Sequence, residues 1–457
     1  MKKAAALLTI IISSLAFTTI LNEFDAVPIP PSIQRTGGDT SKGYNYLITG
    51  DYVKGGIPYS LFILGMGKDK KNYLNREGRN EKLSFDYTAV EVSGEILVAP
   101  NCLQCHAQVF NDSLIIGMGN TFINFAENEK LNLKNLQRLE NMLKLTAPRK
   151  FATAAPFIEV AKTIGPYLQT AVQGVNAADR LAAVLAAHRD PVTFKWNPVA
   201  ALEIPAEVIP TDVPAWWLLK KKNAMFYNGF GRGDFGRFLM ASNLLTVNDT
   251  AESREVDAHM PDVLAYLYSI QPPKFPYPVN TELAKEGELI FNVNCAKCHG
   301  SYGEKPEYPN LLIPSAVIQT DSLLFKSNYS NPQFVEWFNK SWFTQGEHAA
   351  RLEPFNGYIA PPLDGIWATA PYLHNGSVPN LEGLLNSDKR PKYWSRNFEQ
   401  PKYDYEKLGW IFQKSDTASS AQTYNTQLRG YSNQGHYFGD RLNQKERTAL
   451  LEYLKTL

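Results

Sequence analysis

The chain has 457 residues, of which 44% are hydrophobic, 12% aromatic and 20% charged. Such a composition builds a globular protein of two or three domains and excludes disorder as the main state. Lys and Arg number 46 against 45 Asp and Glu, a net charge of +1 that carries neither the basic footprint of a nucleic-acid binder nor an acidic tail.

At the N-terminus, Lys2 and Lys3 precede an apolar run from Ala4 to Leu21, with Ser14 and Ala16 placed for small-residue cleavage. Residues 1–26 therefore predict a secretory signal and a periplasmic or secreted protein. The competing reading is an uncleaved membrane anchor, since the run approaches the length that spans a bilayer. No later stretch is long and apolar enough to do so. Val27 to Thr40 is rich in Pro and Gly and reads as an extended lead-in.

All four cysteines fall in two motifs, Cys102-Leu103-Gln104-Cys105-His106 and Cys295-Ala296-Lys297-Cys298-His299. C-x-x-C-H is the attachment pattern of c-type haem. Two thiols three residues apart reach the two vinyl groups of one porphyrin, and the following histidine puts an imidazole on the iron. A dithiol, a disulfide or half of a zinc site would leave both histidines unexplained. The expectation is two covalently bound haems c, with Cys102, Cys105, Cys295 and Cys298 holding them and His106 and His299 on the irons.

Between the motifs, Leu131, Leu136, Leu139 and Leu143 recur at helical spacing over residues 128–145, stopping before Pro148. Ala177–Ala187 predicts a second helix, and Pro261 opens a third that runs to Ile270. The Pro-rich stretch at 271–278 then marks a boundary between an N-terminal haem domain, 27–275, and a C-terminal cytochrome c domain, 276–457. Thr281–Phe291 predicts a helix entering the second motif. Asn443 with Glu446 predicts a capping box for a last helix with Leu450, Leu451 and Leu454 on its apolar face. Strand signals are sparse. The expected fold is mainly α: two class I cytochrome c-like haem domains with long loops and an inserted helical region in the N-terminal half.

The sixth iron ligand sets the chemistry. None of the seven methionines lies beyond Met260, so the second haem has no methionine in its own domain, and the imidazoles left there are His348, His374 and His436. His436, in the Gly-flanked turn Gly435-His436-Tyr437-Phe438-Gly439, is the one placed to lean over a porphyrin. For the first haem His188, His259 and five methionines are all available and nothing marks one of them, which is compatible with an open iron.

The segment from Ile359 to Leu381 is a Pro/Gly-rich loop bearing Trp367, Tyr372 and His374. On Leu363, Trp367, Tyr372, His374-Asn375-Gly376, Val378 and Leu381 the chain resembles the bacterial di-haem cytochrome c peroxidase and MauG-like superfamily. Asp212-Val213-Pro214-Ala215-Trp216-Trp217, Gly231-Arg232-Gly233-Asp234, Gly435-His436 and Phe438-Gly439 resemble its di-haem rubber oxygenase branch. The resemblance implies an N-terminal haem on His106 with an open face, and a bis-histidine C-terminal haem on His299 and His436. In the MauG branch the tyrosine matching Tyr372 is the ligand instead. The chain is shorter than a rubber oxygenase, longer than a typical di-haem peroxidase, and lacks the latter's His/Met pairing.

The expected function is an exported oxidoreductase that activates hydrogen peroxide or dioxygen at the N-terminal haem, with the C-terminal haem relaying electrons from a redox partner protein or small donor. Trp216, Trp217 and Tyr372 are the candidate relay or pocket residues. The alternative is a non-enzymatic periplasmic electron carrier.

Overall fold

The computed structural model describes residues 25–127 and 133–457. The leader expected over residues 1–26 lies almost wholly outside the described residues, as do residues 128–132 with Leu131. Among the described residues no helix is long and apolar enough to cross a membrane.

The mainly α expectation is overturned: the protein is 40% helical and 14% strand, a mixed α/β fold with several small sheets. The described sheets have two or three strands each, all antiparallel, and most strands run for two to four residues. Strands that short carry little alternation of their own, so their pairing depends on tight turns and distant partners. Tyr87–Val92 and Glu95–Pro100 pair through Ser93 and Gly94, whose φ angles of 49° and 79° suit the mirror-image turn that matches strand twist. Asn111 and Asp112, at φ 48° and 59°, turn a second hairpin of Ala107–Phe110 and Ser113–Ile116. The first cysteine motif forms the single helical turn Leu103–His106 between these hairpins, so no helix leads into it.

The helices follow the apolar spacing more closely. Leu133–Thr146 buries Leu136 and Leu143, Ala178–Ala187 is buried all round over Ala183–Ala187, and Met260–Ser269 carries Pro261 in its first turn. Pro148 begins another helix, Pro148–Ile164, because a first-turn proline has no amide that the helix needs. Inside the lead-in, Asp39 caps a further helix, Thr40–Thr49, by accepting from the Lys42 amide. The start of the lead-in, Val27–Pro28, pairs with Leu311–Pro314, and Arg35 is clamped by Asp234 and Asp257 at 2.9 and 2.6 Å.

After the Pro-rich stretch, Thr281–Asn294 runs into the second motif and the final helix Gln444–Leu454 crosses it. The crossing is close: a Cβ on Gly287 would sit 2.0 Å from the Ala449 carbonyl oxygen. Both bonds of the Asn443/Glu446 capping box are present. One large buried cluster runs from Leu47 to Leu352; a second, around Trp217, Trp367, Tyr372 and Leu450, also takes Phe110 and Met118 from before the Pro-rich stretch.

Candidate functional site

Cys295 ends the helix Thr281–Asn294, and Ala296–His299 makes one further turn. Gly300, at φ 84°, turns the chain away, in a place where a Cβ would lie 2.1 Å from the Glu307 carbonyl oxygen. The Cys295 and Cys298 thiols are free and half-buried. His299 Nδ1 lies 2.8 Å from the Pro361 carbonyl. A carbonyl only accepts, so Nδ1 carries the proton and Nε2 keeps its lone pair, the arrangement of a metal-ligating histidine.

These residues border a cavity of about 700 Å³. Phe291, Leu363, Leu381, Leu450 and Leu454 give it apolar walls, and both cysteines, His299 and His436 line it. His436 stands in the left-handed region at φ 49° and ψ 52°, its amide donating to Ile318 O at 2.8 Å. Gly435 before it has φ 82°, and a Cβ there would meet the Thr320 amide nitrogen at 2.3 Å, so the turn needs glycine. Arg390 secures the loop by donating to Asn433 O at 2.6 Å and Gly435 O at 2.7 Å. Among the described residues His436 Nδ1 is buried without a hydrogen-bond partner, and burial, with His299 beside it, pushes the ring pKa down to about 3.

The His299 and His436 ring centroids are 6.2 Å apart. An imidazole nitrogen bonds a first-row metal at about 2 Å and its ring centre lies about 1 Å farther out, so two trans imidazoles put their centroids about 6 Å apart. The cavity is within the usual size range for a cofactor pocket. The residues present fit a c-type haem: Cys295 and Cys298 could anchor it, and His299 and His436 could supply imidazoles to its iron.

Tyr372 and His374 also line the cavity, but their polar atoms are engaged elsewhere. The Tyr372 hydroxyl lies 2.9 Å from Ile366 O and 3.0 Å from Leu408 O. Tyr358 donates to Asp321 O at 2.6 Å and so accepts from His374 Nε2 at 3.0 Å, the two rings stacking at 4.2 Å. Asn375 donates to Gly430 O and Ser432 O at 2.9 and 3.0 Å, bracing the chain that leads to His436. His348 lies in the turn at 345–349 and does not line the cavity.

At the first motif, the amides of Gly117 and Asn120 bond His106 O and Cys105 O at 2.8 Å. Asn176 Nδ2 lies 3.2 Å from Cys105 Sγ, and burial pushes the Cys102 thiol up to about 11. The His106 ring stacks on Trp216 at 4.3 Å and 16°, its Nδ1 buried without a partner among the described residues and its pKa lowered to about 3 by burial. His188 bonds Asn197 O at 2.9 Å and stacks on Trp196, while His259 stacks on Tyr46 at 4.0 Å. Trp217 donates to Asp364 O at 2.8 Å and packs in the cluster with Trp367. Ala215 and Leu218 line the large cavity, so the turn Trp216–Lys221 touches the His106 ring on one side and borders that cavity on the other.

Sequence reasoning missed Pro361, Arg390 and Asn176, whose roles arise from pairings dozens of residues away. It also passed over Lys222, the end of a three-lysine run that reads as a solvated face.

Residues 357–395 match the family described as RoxA-like, cytochrome c-like. That stretch contains Tyr372, His374 and Arg390, and a domain of this kind implies covalently bound haem c. The chain is 28% identical to the uncharacterized protein y4iM of Sinorhizobium fredii over 257 residues, which are 51% of this chain and 58% of that protein. It is 44% identical to the uncharacterized protein y4iJ of the same organism over 111 residues, 22% of this chain and 18% of that protein. The matched stretches thus span less than two thirds of either relative.

Proposed function

We propose that this chain is an exported di-haem c-type cytochrome, an oxidoreductase whose N-terminal haem meets hydrogen peroxide or dioxygen and whose C-terminal haem passes electrons to it from a redox partner. The observation that carries the reading is the 6.2 Å spacing of the His299 and His436 rings across a cavity bordered by Cys295 and Cys298. When bound, haem c supplies one-electron redox chemistry and, at an iron with an open face, activation of small oxidants.

The residues divide that work. Cys295 and Cys298 would anchor the second group, and the Pro361 carbonyl fixes the proton on His299 Nδ1, which leaves the Nε2 lone pair for a metal. His436, held by the Arg390-braced turn, would supply the second imidazole. Two neutral imidazoles in an apolar cavity suit a low-spin centre that transfers electrons without binding substrate. Cys102 and Cys105 anchor the first group and His106 ligates it, its ring fixed by the Trp216 indole. Trp216 and the turn that carries it supply the aromatic connection between the two groups. Tyr372 acts as a wall of the second pocket rather than as a ligand, because its hydroxyl is occupied by two backbone carbonyls.

The test is intact mass and ligand binding. The wild-type protein should carry two haem increments, and Cys102→Ala and Cys298→Ala should each lose one. Carbon monoxide added to the reduced protein should shift part of the Soret band. Two haems retained in both variants would defeat the attachment reading, and no carbon monoxide shift would leave the electron carrier as the function.

A further inference from the structure

The turn Trp216–Lys221 and the residue after it place three lysines in succession. Lys221 pairs with the Asp364 carboxylate at 2.7 and 2.8 Å, and Lys220 reaches Ile270 O and Gln271 Oε1 at 3.3 Å. Lys222 differs. It is only 8% exposed, it lines the large cavity beside Phe226, Ile313 and Ile359, and among the described residues its ammonium has no hydrogen bond or ion pair. The one carboxylate lining the cavity, Asp212, accepts from Tyr227 at 2.6 Å and forms no ion pair with Lys222.

An ammonium taken out of water without a counter-charge costs several kcal/mol after relaxation. Burial draws the Lys222 pKa down to about 8, which leaves the side chain largely charged at neutral pH. The protein around it does not supply the missing anion. A haem joined to Cys295 and Cys298 by its vinyl edge would bring two carboxylates on its opposite edge into this apolar cavity, and Lys222 is the buried cation there without a partner. Arg441 and Lys297, the other cations lining the cavity, act on Cys295 and Cys298 at the thioether end.

We infer that Lys222 is the anchor for a propionate of the C-terminal haem, and that by neutralising that propionate it raises the haem's reduction potential. The inference rests on the proposed attachment at Cys295 and Cys298. The experiment is redox titration of the holo-protein at about pH 7, where a carboxyl is ionised and Lys222 is largely charged, following the low-spin haem by electron paramagnetic resonance. The mass of the Cys295–Cys298 peptide is recorded on the same preparations. Lys222→Met should shift the reduction equilibrium toward the ferric state by about tenfold, about 59 mV for one electron, while Lys222→Arg should stay within twofold of wild type. Haem present with a Lys222→Met potential equal to wild type overturns this inference alone. A shift that disappears in an Asp212→Asn background makes Asp212 the partner and likewise overturns it. A peptide without the haem mass overturns the attachment reading along with it.

Discussion

The crossing of Thr281–Asn294 with Gln444–Leu454 sets the wall of the second cavity, and Gly287 sets how close the helices come. A Cβ built there meets the Ala449 carbonyl oxygen at 2.0 Å, its carbon at 2.6 Å and the Tyr453 Cβ at 2.8 Å. Two of those three contacts are backbone, so no side-chain rotation relieves them. The Gly287→Ala helix must retreat by more than about 1 Å, loosening Phe291, Leu450 and Leu454, all buried. Overpacking of a close-packed core costs about 1–3 kcal/mol; replacing glycine inside a helix returns about 1 kcal/mol of propensity. Because the clash is with backbone, we take the overpacking at its upper end, which leaves a net loss of about 2 kcal/mol. With an unfolding entropy of about 2.1 cal/mol/K per residue, about 1 kcal/mol/K for this chain, that lowers Tm by about 2 °C in a circular dichroism melt of the holo-protein. Gly65, in the helix Tyr59–Met66, is the internal control, since nothing lies within 4 Å of a Cβ there. Gly65→Ala should leave Tm equal or higher. If Gly287→Ala behaves like Gly65→Ala, the close crossing is not what holds this wall.

Asn443→Ala removes a side chain that accepts from the Lys445 and Glu446 amides at 2.9 and 3.1 Å; chemical denaturation should show a loss of about 1 kcal/mol, and Asn443→Asp should recover most of it. Burial lowers the His374 pKa to about 3, so the folded protein keeps that ring neutral while the unfolded chain protonates it below about pH 6.5. Its contribution is fully present above that pH and is lost as pH falls, by about 1.4 kcal/mol per pH unit. His374→Gln should cost stability at pH 7 yet flatten the acid limb by one proton, as read from denaturation midpoints across that range.

The sequence was most informative where the chemistry is local. Both C-x-x-C-H motifs, the Asn443/Glu446 box and the apolar spacing of Ala178–Ala187 are complete within a few residues. His436 could be singled out because the absence of methionine after Met260 narrowed the choice to imidazoles or Tyr372. The strands escaped because they are short and pair far along the chain, as Val27–Pro28 does with Leu311–Pro314. The two hairpins around the first motif did leave a trace, Ser93-Gly94 and Asn111-Asp112, in two-residue turns that take positive φ. Pro148 does end the helix before it, and a proline that stops one helix is equally suited to start the next. The Pro361 carbonyl, Arg390 and Lys222 have meaning only once the cavity has closed around them. No periodicity or spacing announces a role assigned by tertiary contact.

The pairing of His299 with His436 across one iron is tested most directly by electron paramagnetic resonance of oxidised His436→Ala beside wild type. The wild-type protein should show a low-spin bis-imidazole signal. The variant should lose it, gain high-spin signal at one haem, and bind carbon monoxide there on reduction, while the haem at Cys102 and Cys105 keeps its spectrum. Low-spin signals unchanged in His436→Ala would contradict the assignment and turn attention to Tyr372.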